Sequence, residues 1–121
     1  MGLSPRLVIT AIALMLGFVK LSSAQDDGAA YMVTYIEVAP SATEEVVQLL
    51  TTYAQNSSTA NGNTHFQALQ RIGRPSHFAL IETWRNEGTR DAHVNSTGAA
   101  NFNAALKPLL YSPTDARPHG D

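Results

Sequence analysis

Glu82, Trp84 and His93 are the side chains best suited to chemistry on a small organic molecule. An imidazole titrates near pH ~6.5, so a neutral His93 can take a proton from a phenol or hydroquinone. Trp84, the single tryptophan, offers an aromatic wall for a flat substrate. Glu82 shares a strand face with Trp84 and can orient a neighbouring His or Arg. Each has a blander alternative: His93 as a half-buried ring bonded to a carbonyl, Trp84 as core, Glu82 as a partner for the first helix. His65 and His77 flank the hairpin strands and can line the same cavity, with exposed positions the equal alternative; His65 with Phe66 is assigned to the pocket. None of the four His residues stands at i, i+4 or in a His-x-His pair, and there is no Cys. The spacing therefore predicts no metal site.

These residues need a strand, a turn and a helix to bring them together. Phe78 to Trp84 is apolar, β-branched and aromatic, without Gly or Pro, and reads as a strand. Phe78, Leu80, Glu82 and Trp84 fall on one face, and Ala79, Ile81 and Thr83 on the other. A polar turn from Arg85 to Asp91 should lead into a short helical segment carrying His93 and Val94. If that segment packs back on the sheet, the Trp84 and His93 rings meet over one pocket.

The rest of the chain reads as a frame for that unit. Tyr31 to Val38 is a strand with two largely apolar faces, which suits a sheet covered on both sides. Ser41-Ala42-Thr43-Glu44 reads as a capping box, and Val46, Leu49, Leu50 and Tyr53 form the apolar stripe of the helix behind it. Asn61-Gly62-Asn63 is a turn signal. His65 to Ile72 is a second strand, joined to Phe78–Trp84 by Gly73-Arg74-Pro75-Ser76. A later amphipathic segment places Phe102, Ala105, Leu106 and Leu109 on one stripe, and Pro108 should kink or end it. Ser112 to Asp121 reads as a polar tail or a vestigial last strand. The order is that of an α+β, ferredoxin-like split β-α-β sandwich: an antiparallel sheet with helices on one face. The second apolar face calls for another layer, and a homodimer partner is the economical source.

Glu82-x-Trp84, a polar turn and Ala92-His93 together resemble the central signature of the antibiotic-biosynthesis monooxygenase domains. That family includes quinol monooxygenases and haem-degrading monooxygenases. The similarity runs from about Tyr31 to Leu110. It implies a dimeric α+β barrel and a monooxygenase that needs no cofactor, acting on a quinol-like or polyphenolic substrate with O2. His93 and Trp84 would be its catalytic residues, and Thr34, Glu82, His65 and Phe66 its substrate pocket. Haem-degrading relatives carry an Asn on the first strand where alignment on Pro40-Ser41 places Thr34. Thr lacks the amide donor, so the quinol branch is favoured. The alternative from another class is an exported, non-catalytic ligand-binding or dimerisation module of the same fold.

Length and charge set the bounds. The 121 residues suffice for one domain. Arg6, the apolar run Leu7–Val19 and Ser22-Ser23-Ala24 form a signal-peptide pattern over residues 1–24, with 25–30 a flexible lead-in to a domain at 31–111. The apolar run is shorter than the ~20 residues a membrane span needs. Cleavage would predict a periplasmic or secreted protein with no stable membrane association; an uncleaved anchor is the other reading. Removing 24 of 121 residues leaves 97 and takes away two of eight basic residues and none of ten acidic ones, so the mature charge is −4. An acidic domain gains nothing from a phosphate backbone, which excludes nucleic acid as a partner. A small exported domain without disulfides must rely on its core and a partner subunit. Asn56-Ser57-Ser58 and Asn95-Ser96-Thr97 match glycosylation sequons; without that machinery they are helix-end chemistry.

Overall fold

The computed structural model describes residues 28–121. The signal-peptide reading of residues 1–24 lies outside them. Four strands and three helices follow in the order β1 (Ala30–Glu37), α1 (Thr43–Ser57), β2 (Asn63–Gln70), β3 (His77–Trp84), α2 (Glu87–Val94), α3 (Thr97–Leu106) and β4 (Asp115–Gly120). The sheet order is β2-β3-β1-β4, every neighbouring pair antiparallel, and the fold is the α+β ferredoxin-like arrangement. β1 and β3 lie in the middle and pair from Ala30↔Trp84 to Glu37↔His77.

Alternation along β3 explains the two sides of the sheet. Burial switches at every residue, with Phe78, Leu80, Glu82 and Trp84 buried. Ile36 of β1, Val46 and Leu50 of α1, and Phe102 and Leu106 of α3 close over this face to form the core. Truncating one of the large members, Leu50→Ala for example, would cost roughly 2–5 kcal/mol. Among the described residues, no helix covers the opposite face. Tyr35 and Leu69 stand 49% and 44% exposed on it.

Several local expectations need correction. Ser41 does not cap α1: the chain enters it through a 3-10 turn, Pro40–Ala42, and no side chain caps the first amides. Proline presets the turn's φ, and Thr43 Oγ1 donates to Pro40 O at 2.8 Å. Glu44 and Glu45 do occupy the first turn, where the helix dipole favours them. Arg71 and Ile72 belong to the β2–β3 connection rather than to β2, and Ile72 is 98% exposed. Ala105 faces solvent, while Ala99 takes the buried position on α3. That helix ends at Leu106, and Pro108 lies in the 3-10 turn behind it. Ala30 is fully buried as the first residue of β1 and is not part of a lead-in.

The largest correction concerns the C-terminal segment. Asp115–Gly120 is a full strand, paired with β1 from Tyr35↔Asp115 to Ala30↔Gly120. The domain therefore extends past residue 111. All six residues are exposed. The strand is held by its backbone ladder, and Arg117 lies 5.2 Å over the Tyr35 ring while pairing with Asp115 at 2.6 Å. An edge strand with neither face covered needs no apolar alternation, and it tolerates Pro118.

Candidate active site

The site grows out of the β3–α2 connection. Gly62, with φ +81°, turns the chain into β2 and accepts a hydrogen bond from Arg85 N at 2.7 Å. Asn86 caps α2 by accepting from Thr89 N at 2.9 Å. The helix then carries His93 in its last turn, back over the sheet. Asn95 ends this helix, donating to Asp91 O at 2.9 Å, and Ser96 caps α3, so both sequon residues make helix-end contacts.

Trp84 and His93 meet, with ring centroids 4.7 Å apart and planes at 31°. Trp84 is fully buried and supports the imidazole from beneath. The expected substrate-facing wall is therefore a buried platform. Its indole Nε1 donates to Glu82 Oε1 at 3.1 Å. Phe66 places its ring at 70° to the imidazole, 5.8 Å away. On the other side, Tyr53 Oη lies 2.9 Å from His93 Nε2, and the Tyr53 ring stacks on Phe102 at 3.8 Å.

His93, Glu82 and Thr34 line one cavity of about 170 Å³ between the sheet and the helices, together with Tyr53, Met32 and Phe102. His65 does not join them. Phe66 pairs with Glu82 on the helix side, so the preceding residue points to the open face, where His65 Nε2 lies 3.2 Å from Gln67 Oε1. His77 is also on the open face, 3.3 Å from Glu37. Among the described residues, no three His, Cys, Asp or Glu side chains converge as a metal site would require.

The electrostatics of the cavity are set by burial. Desolvation pushes the Glu82 carboxyl up to about 7, against the opposing pulls of the Trp84 hydrogen bond and the Arg90 charge. Desolvation also lowers His93 below its ordinary value, which keeps the imidazole neutral near pH 7. Tyr53 is pushed up to about 12, mainly by burial and then by the nearby Glu82 charge, so it stays a phenol. In the sequence Tyr53 reads only as an apolar-stripe residue. The signal available was a hydroxyl at the last position of a stripe otherwise made of Val and Leu.

An outer groove of about 360 Å³ runs between the end of α1 and the α2–α3 junction, and Tyr53 and His93 line it too. A larger concavity of about 530 Å³ lies on the open face, around Tyr35, Leu69 and the Glu37–His77 pair. It holds neither Glu82 nor His93. The small inner cavity is the better candidate, because the groups with perturbed proton affinity converge there.

Known proteins share this architecture. YcnE of Bacillus subtilis (strain 168), whose name assigns it provisionally to the monooxygenases, is 28% identical over 81 residues, covering 67% of this chain and 85% of its own. A Nitrosomonas europaea structure named for the antibiotic biosynthesis monooxygenases superposes with TM-score 0.73 at 19% identity, over 77% of this chain and 89% of that one. Rv0793 from Mycobacterium tuberculosis gives 0.71 at 17%, over 77% and 94%. These likenesses establish the fold. The model of the antibiotic biosynthesis monooxygenase family itself matches residues 29–105, which include β1 to β3, Glu82, Trp84 and His93, and the chain belongs to that family.

Proposed function

We propose that the protein oxygenates a phenolic, hydroquinone-type ring held in the inner cavity, with O2 as oxidant and no resident cofactor. The observation that carries this reading is the convergence of a neutral His93 and a buried Glu82 on one small, largely apolar space. His93 takes the proton of a ring hydroxyl. Because Nε2 faces Tyr53, the accepting atom is Nδ1, with Nε2–H donated to Tyr53 Oη. The phenolate passes an electron to O2, and the radical pair collapses to a carbon–oxygen bond at the adjacent ring carbon. Loss of water then leaves a hydroxyquinone. For a simple hydroquinone, one O2 gives one hydroxyquinone and one water, with all four electrons drawn from the ring. The cavity contributes orientation, exclusion of water and the base.

The same reading includes a homodimer joined through the open sheet face, which would complete the barrel. Tyr35 and Leu69 stand on that face, and none of α1, α2 and α3 covers it. Sedimentation at micromolar concentration should give twice the monomer mass; a monomer would remove the barrel.

The deciding experiment incubates metal- and flavin-free protein with a panel of hydroquinones and follows oxygen uptake. Uptake well above the spontaneous rate is expected. Uptake no faster than that rate across the panel would favour a ligand-binding module instead.

A further inference from the structure

Glu82 is the one ionisable group of the cavity that the scheme above leaves unused. It is 5% exposed, yet it lines the cavity beside His93. Its Oε1 is fixed by Trp84 Nε1 at 3.1 Å, while Oε2 accepts no hydrogen bond from the described residues. The Trp84 indole thus holds the carboxyl at its nitrogen and supports the imidazole with its ring, and both groups line the same cavity.

A reaction that adds O2 to a ring needs more than a base. Once the carbon–oxygen bond has formed, the proton on His93 returns to the terminal peroxide oxygen. The O–O bond must then break, its electron pair leaving with hydroxide in an apolar space. Hydroxide is a poor leaving group unless it is protonated as it departs. At the same moment the ring carbon bearing the peroxide must lose its hydrogen, so that the C–H pair can form the new carbonyl.

We propose that Glu82 is a second catalytic residue, the acid that protonates the departing hydroxide and whose carboxylate then takes the ring-carbon proton. The step balances: Glu82 gives one proton and recovers one, the O–O bond is reduced by the C–H electron pair, and water leaves. It rests on the oxygenase reading of the cavity and adds a residue to it. The elevated proton affinity of Glu82, with half-titration near pH 7, keeps a substantial fraction of the carboxyl protonated and neutral at that pH. The titratable groups that face it are Tyr53 of α1 and Arg90 and His93 of α2; its strand neighbours, Met32 and Phe66, do not titrate. Two groups in one cavity whose surroundings push their proton affinities in opposite directions form the pairing expected of an acid and a base.

The test compares wild type with Glu82→Gln on single-ring hydroquinones, following oxygen uptake, hydroxyquinone and H2O2 together. Gln keeps an oxygen for Trp84 Nε1 and has no proton to give. Hydroxyquinone formation should fall about 10²-fold, while KM changes by less than about threefold. Part of the oxygen consumed should reappear as H2O2 with the simple quinone, the balanced outcome when a peroxide leaves intact. Wild-type kcat should decline on the alkaline side, and E82Q should lose that limb. An E82Q protein with wild-type rate and stoichiometry would overturn the acid role and leave the oxygenase reading standing. Wild type that consumes no oxygen above the spontaneous rate would overturn both. Should E82Q fail to fold, the wild-type pH profile decides alone: kcat flat through the alkaline range overturns the assignment.

Discussion

The Tyr53 hydroxyl and the His93 Nε2 atom, 40 positions apart in the chain, are 2.9 Å apart across the α1–α2 boundary. The bond occupies Nε2 and leaves Nδ1 as the ring nitrogen with no side-chain partner among the described residues. It also ties the helix that bears the candidate base to α1, so the ring is held from three sides: Tyr53, Trp84 and Phe66.

Tyr53→Phe removes that tie and keeps the stack on Phe102. The expected loss of stability is modest, about 1 kcal/mol. The imidazole should become more mobile and exchange tautomers, which nitrogen chemical shifts at His93 would read directly. A variant with unchanged shifts would show that the bond does not select the tautomer.

His93→Gln retains hydrogen-bonding capacity and cannot take a proton in this range. Turnover should drop by ~10²-fold or more, with melting temperature little changed. A purely structural His93 gives the reverse pattern, with lower melting and intact activity per folded molecule. Measuring both on one preparation separates the two.

Glu82 makes stability depend on pH with a definite sign. Its carboxyl titrates near 7 in the fold against 4.5 when unperturbed, so the folded state holds the proton more tightly. The contribution is fully present below about pH 4.5 and is lost as pH rises through 7. It is on the order of 3 kcal/mol. His93 acts in the opposite sense, being lowered, and loses stability as pH falls below 6.5. Subtracting the E82Q melting curve from that of wild type isolates the Glu82 part, and a pH-independent difference would contradict it. Trp84→Phe removes a hydrogen bond that favours the carboxylate and should move the Glu82 titration higher still.

Gly62 and Gly73 have nearly the same backbone angle, φ +81° and +82°. They differ in surroundings: a Cβ at Gly62 would collide with the Thr89 side chain of α2, whereas Gly73 has open space. Gly73→Ala should cost only the left-handed penalty, roughly 1–2 kcal/mol. Gly62→Ala should cost clearly more and displace the helix that carries His93, lowering activity as well. Equal melting shifts for the two variants would show that Thr89 simply moves aside.

How much of this was legible depended on whether a residue's role leaves a periodic trace. β3 did: every second residue is buried, so Glu82 and Trp84 were assigned to the right face, and their meeting with His93 followed from a short turn and a helix. β4 left none, because a strand paired on one edge and exposed on both faces carries no apolar alternation. Tyr53 was hidden for the opposite reason. Its ring satisfies the helix stripe so well that its hydroxyl leaves no separate trace in the pattern. Residue type suggests His65 for the pocket and strand parity does not; one position along β2 separates it from Phe66, and the pleat sends the two to opposite faces. The capping box at Ser41 matched a pattern of residue types, but Pro40 offered the chain a 3-10 entry instead.

Tyr53 and His93 stand on the wall of both the 170 Å³ cavity and the 360 Å³ groove outside it. Their hydrogen bond is therefore a partition as well as a tether. A guest of one ring can sit inside with the partition closed. A guest of two or three rings that draws on both compartments presses on the contact that holds the imidazole. Capacity and order are then opposed at one contact: a larger guest is accommodated at the expense of the hold on the candidate base.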